Sequence, residues 1–151
     1  MSDFYKVVGR QAGIAPTPPA TILLITAVTK RFWLWELVIG SINSTTPAGA
    51  EITVGRPSTA GTGGAAYTPL NQDSGGPAAL ATALTATTVW SVEPTQPTTW
   101  DMRTGIDVLT TIIWVPPKPL LVNVGGRIGV RIEADNSATK VQWACSALIE
   151  E

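Results

Sequence analysis

No histidine occurs among the 151 residues, so the acid–base chemistry open to this chain falls mainly to its carboxylates. Without imidazole there is no Ser-His-Asp or Cys-His nucleophile, few zinc sites are possible, and the commonest general base is missing. Paired carboxylates can still run glycoside hydrolysis. The eleven candidates are Asp3, Glu36, Glu51, Asp73, Glu93, Asp101, Asp107, Glu133, Asp135, Glu150 and Glu151. Most fall at strand ends, in turns or at termini, where an acid is an ordinary solvated group. Glu36 stands apart because it interrupts an apolar strand. It reads first as half of an inter-subunit salt bridge or a cross-strand pair, and second as a buried acid.

Other chemistry-bearing patterns are sparse. Gly61-Thr62-Gly63-Gly64 lacks the Lys-Ser/Thr pair and the following helix of a phosphate-binding loop. Asp135-Asn136-Ser137 is too short for a calcium loop. Cys145, the single cysteine, sits in an alternating apolar run and reads as a buried, inert thiol. Nothing calls for a cofactor or a metal. Six tryptophans are many for this length. Trp33, Trp35, Trp90, Trp114 and Trp143 lie in apolar strands and read as core or interface residues, whereas Trp100, beside Asp101, reads as the exposed one.

The elements that must carry these residues are strands. Turn clusters divide short runs at 21–28, 32–42, 51–55, 87–92, 98–103, 108–115, 120–124, 127–133 and 139–149. Run 21–28 is apolar throughout, suiting a strand covered on both faces. In 32–42, strict alternation places Trp33, Trp35, Leu37 and Ile39 on one face and Phe32, Leu34, Glu36 and Val38 on the other. Run 127–133 points Ile128, Val130 and Ile132 inward, and 139–149 does the same with Val141, Trp143, Cys145, Ala147 and Ile149. Residues 78–84 offer one weak helical turn. The Gly/Pro-rich stretch 56–80 is a long loop of the kind that usually has a function. Eight or nine short strands with no long helical period argue for an all-β antiparallel sandwich of jelly-roll type. Residues 1–20 read as an extended N-terminal arm with an apolar start, ahead of a single domain over 21–151.

Composition narrows function further. Charged residues make up only 14% of the chain and the net charge is −1, against roughly 25% charged residues in an ordinary soluble domain. No basic stripe exists for nucleic acid, and none for anionic lipid. A signal peptide is not evident at the N-terminus, and apolar runs stop far short of a membrane span. A charge-poor β body implies surface buried against other chains and a cyclic homo-oligomer, a homotrimer first.

Several stretches in order carry a resemblance. They are the apolar run 21–28, the strand end Gly55-Arg56-Pro57, a Gly/Ala-rich loop with Thr68-Pro69, and Ala86-Thr87-Thr88-Val89-Trp90-Ser91. Residues 116–121 leading to Val124-Gly125-Gly126, and a last strand ending Glu150-Glu151, complete the pattern. Over about residues 20–151 the chain resembles the jelly-roll capsid decoration, or cement, proteins of tailed bacteriophages. The resemblance implies a trimer on the outside of a virion, made in the host cytoplasm, that bridges major capsid protein subunits and has no catalytic residues. Expected partner contacts are Phe4, Tyr5, Lys6, Arg10, Arg56, Trp100 and Arg103. The competing expectation is a tail or fibre module that binds a receptor or glycan through the 56–80 loop and Trp100; a chain beginning at Met1 and standing alone fits the first reading better.

Overall fold

The computed structural model describes residues 2–10, 19–42, 46–85, 90–137 and 141–151. Within them the chain forms β-strands and no helix: β1 (Phe4–Arg10), β2 (Ala20–Thr26), β3 (Phe32–Ser41), β4 (Gly49–Gly55), β5 (Ala65–Tyr67) and β6 (Leu70–Asn71), then β7 (Thr82–Thr85), β8 (Trp100–Asp107), β9 (Thr111–Trp114), β10 (Leu120–Val122), β11 (Arg127–Asp135) and β12 (Trp143–Glu150). They make two antiparallel sheets. The first runs β10-β3-β12-β1-β6, with β9 also on β3, and the second runs β5-β7-β2-β11-β4-β8.

The pairing is nested. β1 pairs with β12 and β2 with β11; β3 then takes the other side of β12, and β4 the other side of β11. A hairpin-like ribbon wound in this way has the strand order of a jelly roll, and the chain is an all-β antiparallel sandwich, as its composition predicts. The small strands β5, β6 and β7 belong to one long excursion between β4 and β8.

Alternation fills the space between the sheets. Tyr5 and Val7 of β1 point inward beside Ile149 and Ala147 of β12, and Phe32, Leu34, Leu37 and Ile39 of β3 join them. Ile52, Val54, Ile128, Val130 and Ile132 supply the facing layer. Each fully buried side chain of this size contributes about 1.5–3 kcal/mol. Strand β3 departs from strict alternation. A register shift opposite Leu148 and Ile149 inserts one extra residue, Trp35, so both Trp35 and Glu36 escape the core. The inward set is therefore Phe32, Leu34, Leu37 and Ile39, drawn from both of the faces that simple alternation assigns.

Strand β2 is buried on both faces, as its uninterrupted apolar run predicts. The excursion explains this. Trp90 packs on Leu24 and Leu84 on the outer side of the second sheet. Among the described residues, β7 pairs with β2 as far as Leu23, and the N–H and C=O of Thr21 beyond it are met by side chains. Glu93 accepts from the Thr21 N–H at 3.0 Å, and Trp90 Nε1 donates to the Thr21 carbonyl at 2.7 Å. Gln96 Nε2 reaches the Thr21 hydroxyl, and Pro57 sits over Gly129. Segment 57–62 is in turn bonded to 91–95, including Ser58 N–H to the Thr95 carbonyl. Of the stretch 56–80 expected as a long functional loop, residues 57–62 support this roof, while 65–67 and 70–71 form β5 on β7 and β6 on β1.

Three further expectations differ from the structure. Residues 4–10 are a full strand of the body instead of an arm, because Tyr5 and Val7 alternate into the core; positions 11–18 of the expected arm lie outside the described residues. Residues 82–85 form strand β7 instead of a helical turn, since β2 offers an open edge for pairing. Of the expected strand 87–92, residues 87–89 lie outside the described residues, and Val92 makes an isolated bridge to Thr62.

Candidate functional site

The two outer faces of the sandwich are unlike. The second sheet is covered by the excursion over β2 and Gly129 of β11, and beyond that cover carries charged groups such as the Glu51–Arg103 pair. The first has no such cover among the described residues, and its outward positions are largely apolar. They form four rows across the strands, β1 at one side and β9 or β10 at the other. Phe4, Glu150, Trp33 and Leu121 form the first row, and Lys6, Leu148 and Glu36 the second. Val8, Ser146, Val38 and Ile113 form the third, then Arg10, Ala144, Gly40 and Thr111 the fourth.

A sheet face meant for water ordinarily alternates to polar side chains. Here Ile113 is 67% exposed, and Trp35 and Phe4 are 38% and 37% exposed. The Phe4 and Trp35 rings meet across β12 with centroids 6.0 Å apart and planes tilted by 57°. Trp35 Nε1 donates to the Glu150 carboxylate at 2.7 Å, which ties the pair down. The Arg31 guanidinium stands 5.0 Å from the Trp33 ring centroid and stiffens the same end. At the other end, the small residues Gly40, Ala144 and Ser146 floor a shallow depression of about 350 Å³, with Val8, Val38 and Thr111 at its sides. The face thus has an aromatic ridge at one end and a hollow at the other, a form suited to burial against protein.

The charges on the face are few and ordered. Lys6 and Arg10 lie on β1, Glu36 on β3 and Glu150 on β12. Lys6 and Glu36 occupy the same row on opposite sides of Leu148, and neither has an ion-pair partner among the described residues. The bulge at Trp35 puts Glu36 on this outer face. That placement could not be found from periodicity alone.

The residues expected to contact a partner divide between locations. Phe4, Lys6 and Arg10 share the bare face. Tyr5 is a correction: it is 2% exposed and belongs to the core, because successive residues of a strand alternate sides. Burial raises its phenol pKa, helped by the nearby Asp3 and Glu151 charges. Arg56 clamps the two sheets at one edge, bonding Asp101 at 3.1 Å and donating to the Leu121 carbonyl at 2.9 Å. Arg103 pairs with Glu51 across β4 and β8, and that bond raises its pKa further. The Trp100 ring lies on Gly55 and beside Pro97, half-buried, so Trp35 is the more exposed indole. Leu148, Val38 and Ile113 are face residues that the strand pattern alone did not single out as contacts, whereas Glu36 stood out because it interrupts an apolar strand.

Among the described residues, no group of three or more Cys, Asp or Glu side chains is placed to hold a metal ion. Cys145 points into the core at 3% exposure, and burial pushes its pKa up to about 12. Glu93, the acid whose pKa is raised chiefly by burial, is committed to capping Thr21. Of the 56–80 loop expected in the glycan-binding reading, residues 57–62 bond to the 91–95 segment that covers β2, and 65–67 and 70–71 pair as strands with β7 and β1. Comparison with protein-family models, curated proteins and solved structures returns no match to the chain.

Proposed function

We propose that the protein is a structural component of a virus particle, a capsid decoration protein that reinforces the shell as a homo-oligomer and performs no chemistry. The observation that carries this reading is the contrast between the two outer faces: one roofed by the chain's own excursion, the other apolar and left for protein contact. The jelly-roll strand order and the charge-poor composition support it, as does the resemblance to phage cement proteins over about residues 20–151. The physical work is removal of apolar surface from water between chains, about 25 cal/mol per Å² before the costs of association. Many copies on a shell add such terms where each alone is modest.

The test is biochemical. Virus particles purified from cells that make the protein are expected to carry it at a fixed copy number, and shells stripped of it should rupture at a lower temperature than shells to which it has been returned. Its absence from purified particles, or equal rupture temperatures, removes the reading.

A further inference from the structure

We infer that the occupant of the bare face is a second copy of this chain, packed face to face about a two-fold axis parallel to β12. This rests on the proposal above that the face is buried against protein, and it names the partner.

The argument is one of symmetry. Strand β12 runs between β1 and β3 in the first sheet. A two-fold axis along β12, midway between two facing sheets, keeps every row level and exchanges left for right. Each residue of β1 then faces the β3 residue of the same row in the other copy. Lys6 meets Glu36 of the second copy, twice, on either side of a Leu148–Leu148 contact. Val8 meets Val38, and Phe4 meets the Trp33–Trp35 pair. Arg10, a long side chain, meets Gly40, the small residue on the floor of the hollow. Facing sheets sit about 10 Å apart, a gap that an extended Lys–Glu pair spans. In the first row the two Glu150 carboxylates approach, but each already accepts a bond from Trp35 Nε1.

Other arrangements fail on the same rows. An in-plane axis across the strands sets β1 on β1 and β3 on β3, so Lys6 and Glu36 never meet wherever along the strands it lies. Head-to-tail stacking of the face leaves a heterologous contact that does not close. Addition at the edges of the first sheet uses only β6, of two residues, or the short β9 and β10, and addition at β8, the eight-residue edge of the second sheet, leaves the bare face uncovered. A foreign partner has no need of cations confined to β1 and an unpaired acid mirrored on β3. The geometry therefore argues for a dimer in place of the trimer that the resemblance implies.

Sedimentation of the isolated full-length protein at micromolar concentration tests this. The expected mass is twice the 15.8 kDa protomer. Lys6→Glu or Glu36→Lys alone creates two like-charge contacts per dimer and should weaken association roughly tenfold or more. The combined Lys6→Glu/Glu36→Lys protein exchanges the signs and should recover most of the loss. A Leu148→Cys variant, with its two thiols facing each other across the axis but too far apart for a direct disulfide, should be joined into a covalent dimer by a short bifunctional thiol reagent, and this arm holds even if the charge variants fold poorly. A monomer or trimer for the natural sequence, a double exchange no better than the singles, or no Leu148→Cys cross-link overturns the inference. A protein that is monomeric yet present on particles sinks the dimer alone; a dimer missing from particles sinks the proposed function alone.

Discussion

Replacing Tyr5 with alanine separates a core strand from a loose arm. Tyr5 is 2% exposed and lies beside Ile149, while its neighbour Phe4 is 37% exposed and touches Trp35 on the outer face. An aromatic side chain buries roughly 150–250 Å². At about 25 cal/mol per Å² the loss is about 4–6 kcal/mol before relaxation. Buried aromatic-to-alanine changes commonly cost about 3–5 kcal/mol, so about 4 kcal/mol is the expected figure. That is a large share of a total of about 5–15 kcal/mol. Phe4→Ala leaves no enclosed cavity and removes chiefly one ring contact, so at most about 2 kcal/mol is expected. Urea denaturation at two protein concentrations reads both. The Tyr5→Ala cost should be the same at each, because its contacts lie within the chain. The Phe4→Ala cost should grow with concentration, because its contacts extend to the second copy. A Tyr5→Ala cost below about 1 kcal/mol, or one no larger than that of Phe4→Ala, would refute the placement of β1 in the core.

Further expectations follow from single sites. Gly9 has no room for a side chain, since an added Cβ would lie 2.7 Å from Leu23 Cβ, 2.8 Å from the Ile22 carbonyl oxygen and 2.9 Å from Cys145 Sγ. Gly9→Ala should therefore destabilise by about 1–3 kcal/mol in a thermal melt. Gly105→Ala, whose nearest atom is 3.8 Å away, should be neutral or mildly stabilising. Burial raises the pKa of Glu93, so the folded state holds that proton more tightly than the unfolded chain does. Its contribution favours folding below the ordinary carboxylate range and is lost as pH rises through the raised value. Glu93→Gln, which keeps an oxygen for the Thr21 N–H, should melt higher than the natural protein near neutral pH, with the gap closing below about pH 4. An equal gap at both pH values would contradict the burial argument. Cys145 should resist a thiol reagent in the native state and react in denaturant, and fast native labelling would place it outside the core.

Much of the fold was legible because alternation is a local signal. The inward residues of β11 and β12 follow from their sequences alone, and the double burial of β2 follows from its unbroken apolar run. What alternation cannot supply is a change of phase. The bulge at Trp35 shifts half of β3 by one residue, moving Leu37 and Ile39 to the face of Phe32 and Leu34. Nothing in the string Phe-Trp-Leu-Trp-Glu-Leu marks where the extra residue falls, because the cause is the pairing with β12, a strand more than a hundred positions away. The N-terminal strand was hidden for a similar reason. Val7 and Val8 are adjacent apolar residues beside Gly9, a weak strand pattern that becomes secure only when β12 and β6 flank it. Of the candidate site, Phe4, Lys6 and Arg10 were visible as sticky or charged positions, but their neighbours on β12, β3 and β9 required the topology.

The bareness of one face has a topological origin. The long excursion leaves β4 and returns at β8, and both strands belong to the second sheet. The returning half of the excursion folds back over that sheet through Trp90, Glu93 and Gln96, and its middle part reaches the first sheet only at the edge, as β6 beside β1. Within the first sheet, the only direct sequential link is the short connection from β9 to β10, which holds no comparable length of chain. Among the described connections, then, no segment is available to cover Val8, Val38, Leu148 and Ile113, and polar outward residues would have been the inexpensive way to keep that surface in water. Their absence leaves the folded protomer indifferent to the identity of these side chains, while the assembly depends on them. Ile113→Lys, at a position 67% exposed, should accordingly leave the melting temperature of the dilute protein unchanged and lower the mass seen by sedimentation at high concentration. A melting temperature that falls in dilute solution would show that Ile113 serves the protomer's own packing and would remove this face from the argument.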